Sequence, residues 1–138
     1  MRSFFVMLNY MLMSYLDWHV PKIELSVVTY NRPHSLRRLL SSLTNARYFG
    51  DTVTLRINAE QSADPETLRI IDEYDWPHGT VVFHHRVLHA GLMGAVVESW
   101  YPHGNDTYGL ILEDDVELSP LFYAWAKMTL LRDRKSVV

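Results

Sequence analysis

The chain contains no cysteine, which excludes disulfide staples, thiolate nucleophiles and Cys-ligated zinc. Compartment stays open, because secreted domains need not carry cysteine. Glycine is sparse, at six residues, and the sequence has neither a Gly-x-Gly-x-x-Gly fingerprint nor a Walker loop. Dinucleotide and P-loop readings lose their usual support accordingly. Basic charge is also short, with 13 Lys and Arg against 16 Asp and Glu and a formal net charge of −3. Recognition of a nucleic-acid backbone needs clustered cations, and the pair Arg37-Arg38 is what a solvated helix face carries, so no nucleic-acid partner is expected.

The apolar stretch Phe4 to Leu16 is interrupted by Asn9 and Ser14 and is shorter than the roughly 20 residues that cross a bilayer. It reads as an N-terminal helical segment within residues 1–21, a signal-peptide core or the remnant of a membrane anchor. Asp17-Trp18-His19 offers no small-residue cleavage site. Membrane association through this segment is therefore an open expectation.

What is present fits a globular domain. A chain of 138 residues with 48% hydrophobic and 21% charged content can bury a core without a staple. From Ile23 onward, strand-like and helix-like segments alternate. Ile23 to Tyr30 is β-branched and aromatic and ends at the turn signal Asn31-Arg32-Pro33. Pro33 suits a first helical turn, and Leu36, Leu39, Leu40 and Leu43 recur at helical spacing. Thr52 to Asn58 predicts a second strand, with Val53, Leu55 and Ile57 on one face, and Asp64-Pro65-Glu66 predicts a capped helix start. Thr80 to Arg86 predicts a third strand and Gly91 to Tyr101 a short helix. Tyr108 to Leu112 is a continuous apolar run, as in a strand covered on both faces, and Ser119-Pro120 opens a last helix to about Leu131.

Alternation of this kind implies right-handed crossovers and a mostly parallel sheet, a three-layer α/β Rossmann-like domain over residues 22–138. Such sheets bind ligands beyond the carboxyl ends of their strands. Those ends are Thr29 to Arg32, Asn58 to Gln61, Arg86 to Gly91, and Glu113 to Asp115. Glu113-Asp114-Asp115 crowds three carboxylates at a strand end. A divalent magnesium or manganese ion removes the repulsion, and hard oxygen ligands suit both. A solvated acidic turn before a helix carries the same residues, since the helix dipole favours acids there. The apolar strand before the triplet and the Ser-Pro start after it favour the metal reading. At the first strand end, Arg32 offers a guanidinium for a phosphate or a base, while Asn31 also suits a helix cap.

Seven histidines invite a zinc reading, but His84 and His85 are strand neighbours and point to opposite faces. Trp100, Tyr101, Phe122, Tyr123 and Trp125 could form a sugar platform; their helical spacing points to core packing instead.

Taken together, Leu25 to Pro33 with Leu36 to Leu43, and Leu110 to Phe122 with its Glu-Asp-Asp, resemble the GT-A nucleotide-sugar transferases, particularly glycosyltransferase family 2. The second motif is most similar to the N-acetylglucosaminyltransferases of N-linked and O-mannosyl glycan synthesis. The resemblance implies the nucleotide-binding half of that fold, with strand order 3-2-1-4, and a metal-dependent transfer of a sugar from a nucleotide-sugar to an acceptor hydroxyl. It implies Asp115 as the ligand of Mn²⁺ or Mg²⁺, with Glu113 and Asp114 facing the donor sugar or ribose. Thr29, Asn31 and Arg32 would line the nucleoside and diphosphate, Asn58 and Glu60 are candidates for the base, and His89 falls near a nucleotide-touching position.

In the resembling enzymes the catalytic base lies past the helix after the acidic motif, so the domain is expected to be truncated at its C-terminus and no base is assigned. A UDP-linked donor and a setting in the Golgi, the endoplasmic reticulum or another membrane follow from resemblance alone. A non-catalytic nucleotide- or partner-binding fragment is the competing expectation.

Overall fold

A computed structural model describes residues 18–60, 63–85, 100–102 and 104–136. Residues 91–99 of the expected helix and residues 1–17 of the N-terminal segment lie outside the described residues, and Trp100 and Tyr101 are not helical. Strand β1 (Lys22–Thr29) leads into helix α1 (Pro33–Asn45), then β2 (Leu55–Ala59), α2 (Pro65–Glu73), β3 (Val81–His85), β4 (Thr107–Glu113) and α3 (Phe122–Ser136). The four strands form one sheet in the order β3-β2-β1-β4, and every pairing is parallel. This is the expected 3-2-1-4 order of a Rossmann-like α/β domain.

Local sequence explains the elements. Pro33 sits in the first turn of α1, where its missing N–H costs nothing. The stripe Leu36, Leu39, Leu40 and Leu43 is buried, each residue at most 2% exposed. Burying one such side chain stabilises by about 1.5–3 kcal/mol. Asp64 caps α2 through a 2.7 Å bond from the Thr67 amide, as Asp-Pro-Glu predicts. Val53, Leu55 and Ile57 face the same core.

Strand alternation divides the sheet. Leu25, Val27 and Thr29 of β1 lie level with Leu55, Ile57 and Ala59 of β2. Ser26 and Val28 point the other way and are also buried, which is what a central parallel strand requires.

Strand β4 departs from expectation. It lies at one end of the strand order, and although Leu112 is buried, Ile111 is 38% exposed. The continuous apolar run is therefore not enclosed on both faces, because an edge position leaves one side of the strand less covered. The last helix starts two residues after Pro120 and runs to Ser136, later and longer than expected. Ser119 makes the preceding turn, its carbonyl accepting from Phe122 N and its hydroxyl from Leu121 N.

The aromatic residues divide as well. Phe122 and Tyr123 pack with Tyr48, at ring-centre distances of 5.9 and 5.1 Å, whereas Tyr101 and Trp125 are 78% and 71% exposed. Beneath the sheet, buried Lys127 donates from Nζ to the carbonyls of Trp18 and Pro21 and pairs with Asp51 at 3.5 Å. The Tyr123 hydroxyl also donates to Asp51, at 2.6 Å. These contacts fasten α3 to the chain entering β1 and to the loop before β2. Among the described residues no helix is long and apolar enough to cross a membrane.

Candidate functional site

Parallel pairing brings the carboxyl ends of β1 and β4 side by side. Val28 is level with Glu113, so Thr29 stands opposite Asp114 one step further on. Paired residues of a parallel ladder share a face, and the buried Leu112 therefore continues into a buried Asp114, only 5% exposed. Its carboxylate is well held. Asp114 Oδ2 accepts from the Thr29 hydroxyl at 3.0 Å and from the Tyr30 amide at 3.1 Å.

Arg32 follows at the N-cap of α1, with its guanidinium 3.7 Å from Asp114 Oδ1 and 3.5 Å from Asp115 Oδ2. The Asp115 side chain is 56% exposed. Two adjacent carboxylates thus occupy different environments: Asp114 clamps the two strand ends together, and Asp115 projects outward beside a cation.

Neighbouring contacts hold the acidic loop in place. The Val116 amide donates to the Glu113 carbonyl, closing a turn directly after β4. Leu118 N donates to Ser42 Oγ at 3.2 Å and Arg47 N to the Pro120 carbonyl at 2.9 Å, tying the loop to α1 and its end. Asn31 adopts a left-handed conformation, with φ of 50°, which asparagine tolerates better than most residues. Its Oδ1 accepts from the Asp64 amide at 2.7 Å, joining the first strand-end turn to the cap of α2. The side-chain cap suggested for Asn31 at α1 is not formed. Arg32 is the N-cap residue instead, and it makes no side-chain capping bond.

The structure does not gather all the sequence candidates. Thr29, Arg32, Asp114 and Asp115 converge, and exposed Glu113 flanks them. Asn58 alternates to the other face of the sheet from Thr29. Its Nδ2 donates to Ser26 Oγ and the Val27 carbonyl, while its Oδ1 accepts from Arg56 Nε. Glu60 is buried, and its backbone carbonyl meets His85 Nε2 at 3.1 Å. His84 pairs with Asn58 on the face opposite to His85 and approaches Asn58 Oδ1 there, at 3.3 Å. His89 lies outside the described residues.

Tyr30 was not singled out by sequence, yet its amide completes the Asp114 clamp and its side chain is half exposed at the same edge. A backbone donor leaves no residue-type signature, so the signal available was positional: the residue just past a strand that faces the acidic end.

Among the described residues, no group of three or more His or acidic side chains stands close enough to hold an ion by itself. The donor set therefore suits a divalent cation only as a partial site. The Asp115 carboxylate is accessible, and an ion beside it would need its other ligands from water or a bound oxyanion.

A family model described as the SPBC1E8.03c C-terminal domain matches residues 34–137. The chain belongs to that family. The SPBC1E8.03c C-terminal domain match begins at His34, one residue into α1, and runs through α3, including Glu113 to Asp115. No curated protein matches the chain.

Solved structures of TarS from S. aureus share the fold. TarS 1-349 aligns with a TM-score of 0.61 at 17% identity, over 79% of this chain and 32% of that one. The same protein in complex with UDP-GlcNAc aligns with a TM-score of 0.61 at 16% identity, over 79% and 31%. This chain thus spans about a third of the length of those structures. The likeness is one of fold, and it agrees with the Rossmann-like arrangement of the parallel sheet and its helices.

Proposed function

We propose that this chain binds a nucleotide-activated sugar across the carboxyl ends of β1 and β4 and contributes that donor site to a glycosyl transfer. The observation that carries the reading is the convergence of Thr29, Tyr30 and Arg32 with Asp114 and Asp115 at one sheet edge. Support for the ligand class comes from the fold, which TarS shares in its structures with UDP and UDP-GlcNAc. A nucleoside diphosphate carries the charge that Arg32 can pair with, and a guanidinium matches phosphate oxygens two at a time.

Each residue has a distinct task in this reading. Asp115 is the metal-proximal carboxylate and would hold Mn²⁺ or Mg²⁺ together with diphosphate oxygens. A divalent ion held there would supply charge neutralisation for the departing diphosphate. Asp114 keeps the β1 and β4 ends in register and the Thr29-to-Arg32 turn aimed at the ligand. Glu113 and the Tyr30 ring border the space for the ribose or sugar. Asn31, Asn58 and Glu60 shape the pocket through the turns and strand ends they secure. Transfer to an acceptor hydroxyl also needs a carboxylate base, a role this reading gives to none of these residues.

Calorimetry with UDP, with and without manganese, tests the proposal on the wild type and Asp115→Ala. Manganese is expected to tighten UDP binding in the wild type and to lose that effect in the variant. Equal UDP affinity with and without manganese would sink the metal role, and absence of UDP binding altogether would sink the donor site.

A further inference from the structure

Arg32 stands where an incoming cation would have to act. Its guanidinium lies 3.7 Å from Asp114 and 3.5 Å from Asp115, bridging the two carboxylates. The separations are long for charge-assisted hydrogen bonds, and the Arg32 side chain is 58% exposed. It is therefore held by charge more than by packing. Asp114 has Thr29 and Tyr30 as further partners. The guanidinium can leave Asp114 without stripping that carboxylate of its hydrogen bonds.

We propose that Arg32 is a counter-ion gate: without nucleotide it offsets half the charge of Asp114 and Asp115 and opposes a divalent cation, and a diphosphate draws it away. The inference rests on the donor-site reading above and adds an order to it. With the guanidinium in place, the two aspartates and the arginine sum to a single negative charge, and a dication approaching Asp115 meets a like charge a few ångströms away. A diphosphate offers Arg32 more charge and two-point geometry, so the guanidinium transfers to it and the aspartates regain their full attraction for the ion. Metal and nucleotide then favour each other by the same factor, as linkage requires. The gate keeps the site from filling with a metal that has no donor to act on.

The test is manganese binding followed by the electron paramagnetic resonance signal of the free ion, on wild type, Arg32→Ala, Arg32→Gln and Arg32→Lys, each with and without UDP. Circular dichroism confirms that each variant is folded; the backbone carbonyl of Arg32, which accepts from Leu36 N, survives all three changes. Without UDP, Arg32→Ala and Arg32→Gln should bind manganese about three- to tenfold more tightly than wild type, the range expected for removing an exposed cation beside two carboxylates. Arg32→Lys should stay close to wild type. Unchanged or weaker manganese binding by both neutral variants, in a protein whose UDP binding still depends on manganese through Asp115, overturns the gate and leaves the donor site standing. No manganese binding by any form, even with UDP, overturns the gate together with the metal role of Asp115.

Discussion

Asp114→Ala removes an acceptor on which two donors converge, the Thr29 hydroxyl at 3.0 Å and the Tyr30 amide at 3.1 Å. A hydrogen bond to a charged group contributes about 1.5–3 kcal/mol, but these two share one oxygen and do not add fully. Their joint loss costs about 3 kcal/mol. Relief of repulsion from exposed Asp115 and Glu113 returns on the order of 0.5 kcal/mol, because solvent screens those charges. The net expectation is a loss of about 2–3 kcal/mol. Asp114→Asn keeps an acceptor oxygen without the charge and should lose about 1 kcal/mol. Asp115→Ala should stay within about 0.5 kcal/mol of wild type, since its side chain is 56% exposed and, among the described residues, pairs with exposed Arg32. Urea denaturation at unchanged m-value measures all three. Equal losses for the two alanine variants, or none for Asp114→Ala, would refute the claim that these neighbours divide into a strand clamp and an outward ligand.

Lys127→Met should lower the thermal unfolding midpoint by roughly 10 °C, because it strands the Trp18 and Pro21 carbonyls and leaves Asp51 without its ammonium partner. A midpoint that rises would show that this buried charge was a net burden. Alkaline pH should unfold the domain from about pH 10 upward. Burial raises the pKa of Tyr48, Tyr74 and Tyr123 from their ordinary 10.0, so the unfolded chain loses those protons first and folding stability falls as pH climbs. Burial lowers Lys127 below its ordinary 10.5, which works in the opposite direction between its folded value and 10.5, but it is one group against three. The last part of the tyrosinate absorbance should rise together with loss of circular dichroism. Ionisation of all eight tyrosines in a still-folded chain would refute the assignment.

Much of the scaffold was legible because local rules and tertiary packing agree in it. The leucine stripe of α1, the Asp-Pro-Glu start of α2 and the β-branched run of β1 each make the element their spacing implies. The alternation of strands and helices was enough for a parallel sheet, and the order 3-2-1-4 came with the family resemblance. Strand β4 shows where such reading ends. An apolar run looks the same in a central strand and at an edge, and only the pairing pattern placed this one at the edge, with Ile111 partly exposed. Trp125 and Tyr101 had a packing rationale from their spacing, yet stayed exposed because the core filled with Phe122 and Tyr123.

For the candidate site, the sequence by itself determined which residue types stand at the strand ends: a hydroxyl and then a guanidinium where β1 closes, and three carboxylates where β4 closes. That follows from chemistry written in order along the chain. Only the tertiary structure decided which carboxylate turns inward, that Thr29 and Tyr30 receive it, and that Asn58 looks to the opposite face. Those outcomes depend on the register between β1 and β4, residues 85 positions apart for Thr29 and Asp114. A contact over that distance is set by the packing of the whole sheet, which no local spacing records.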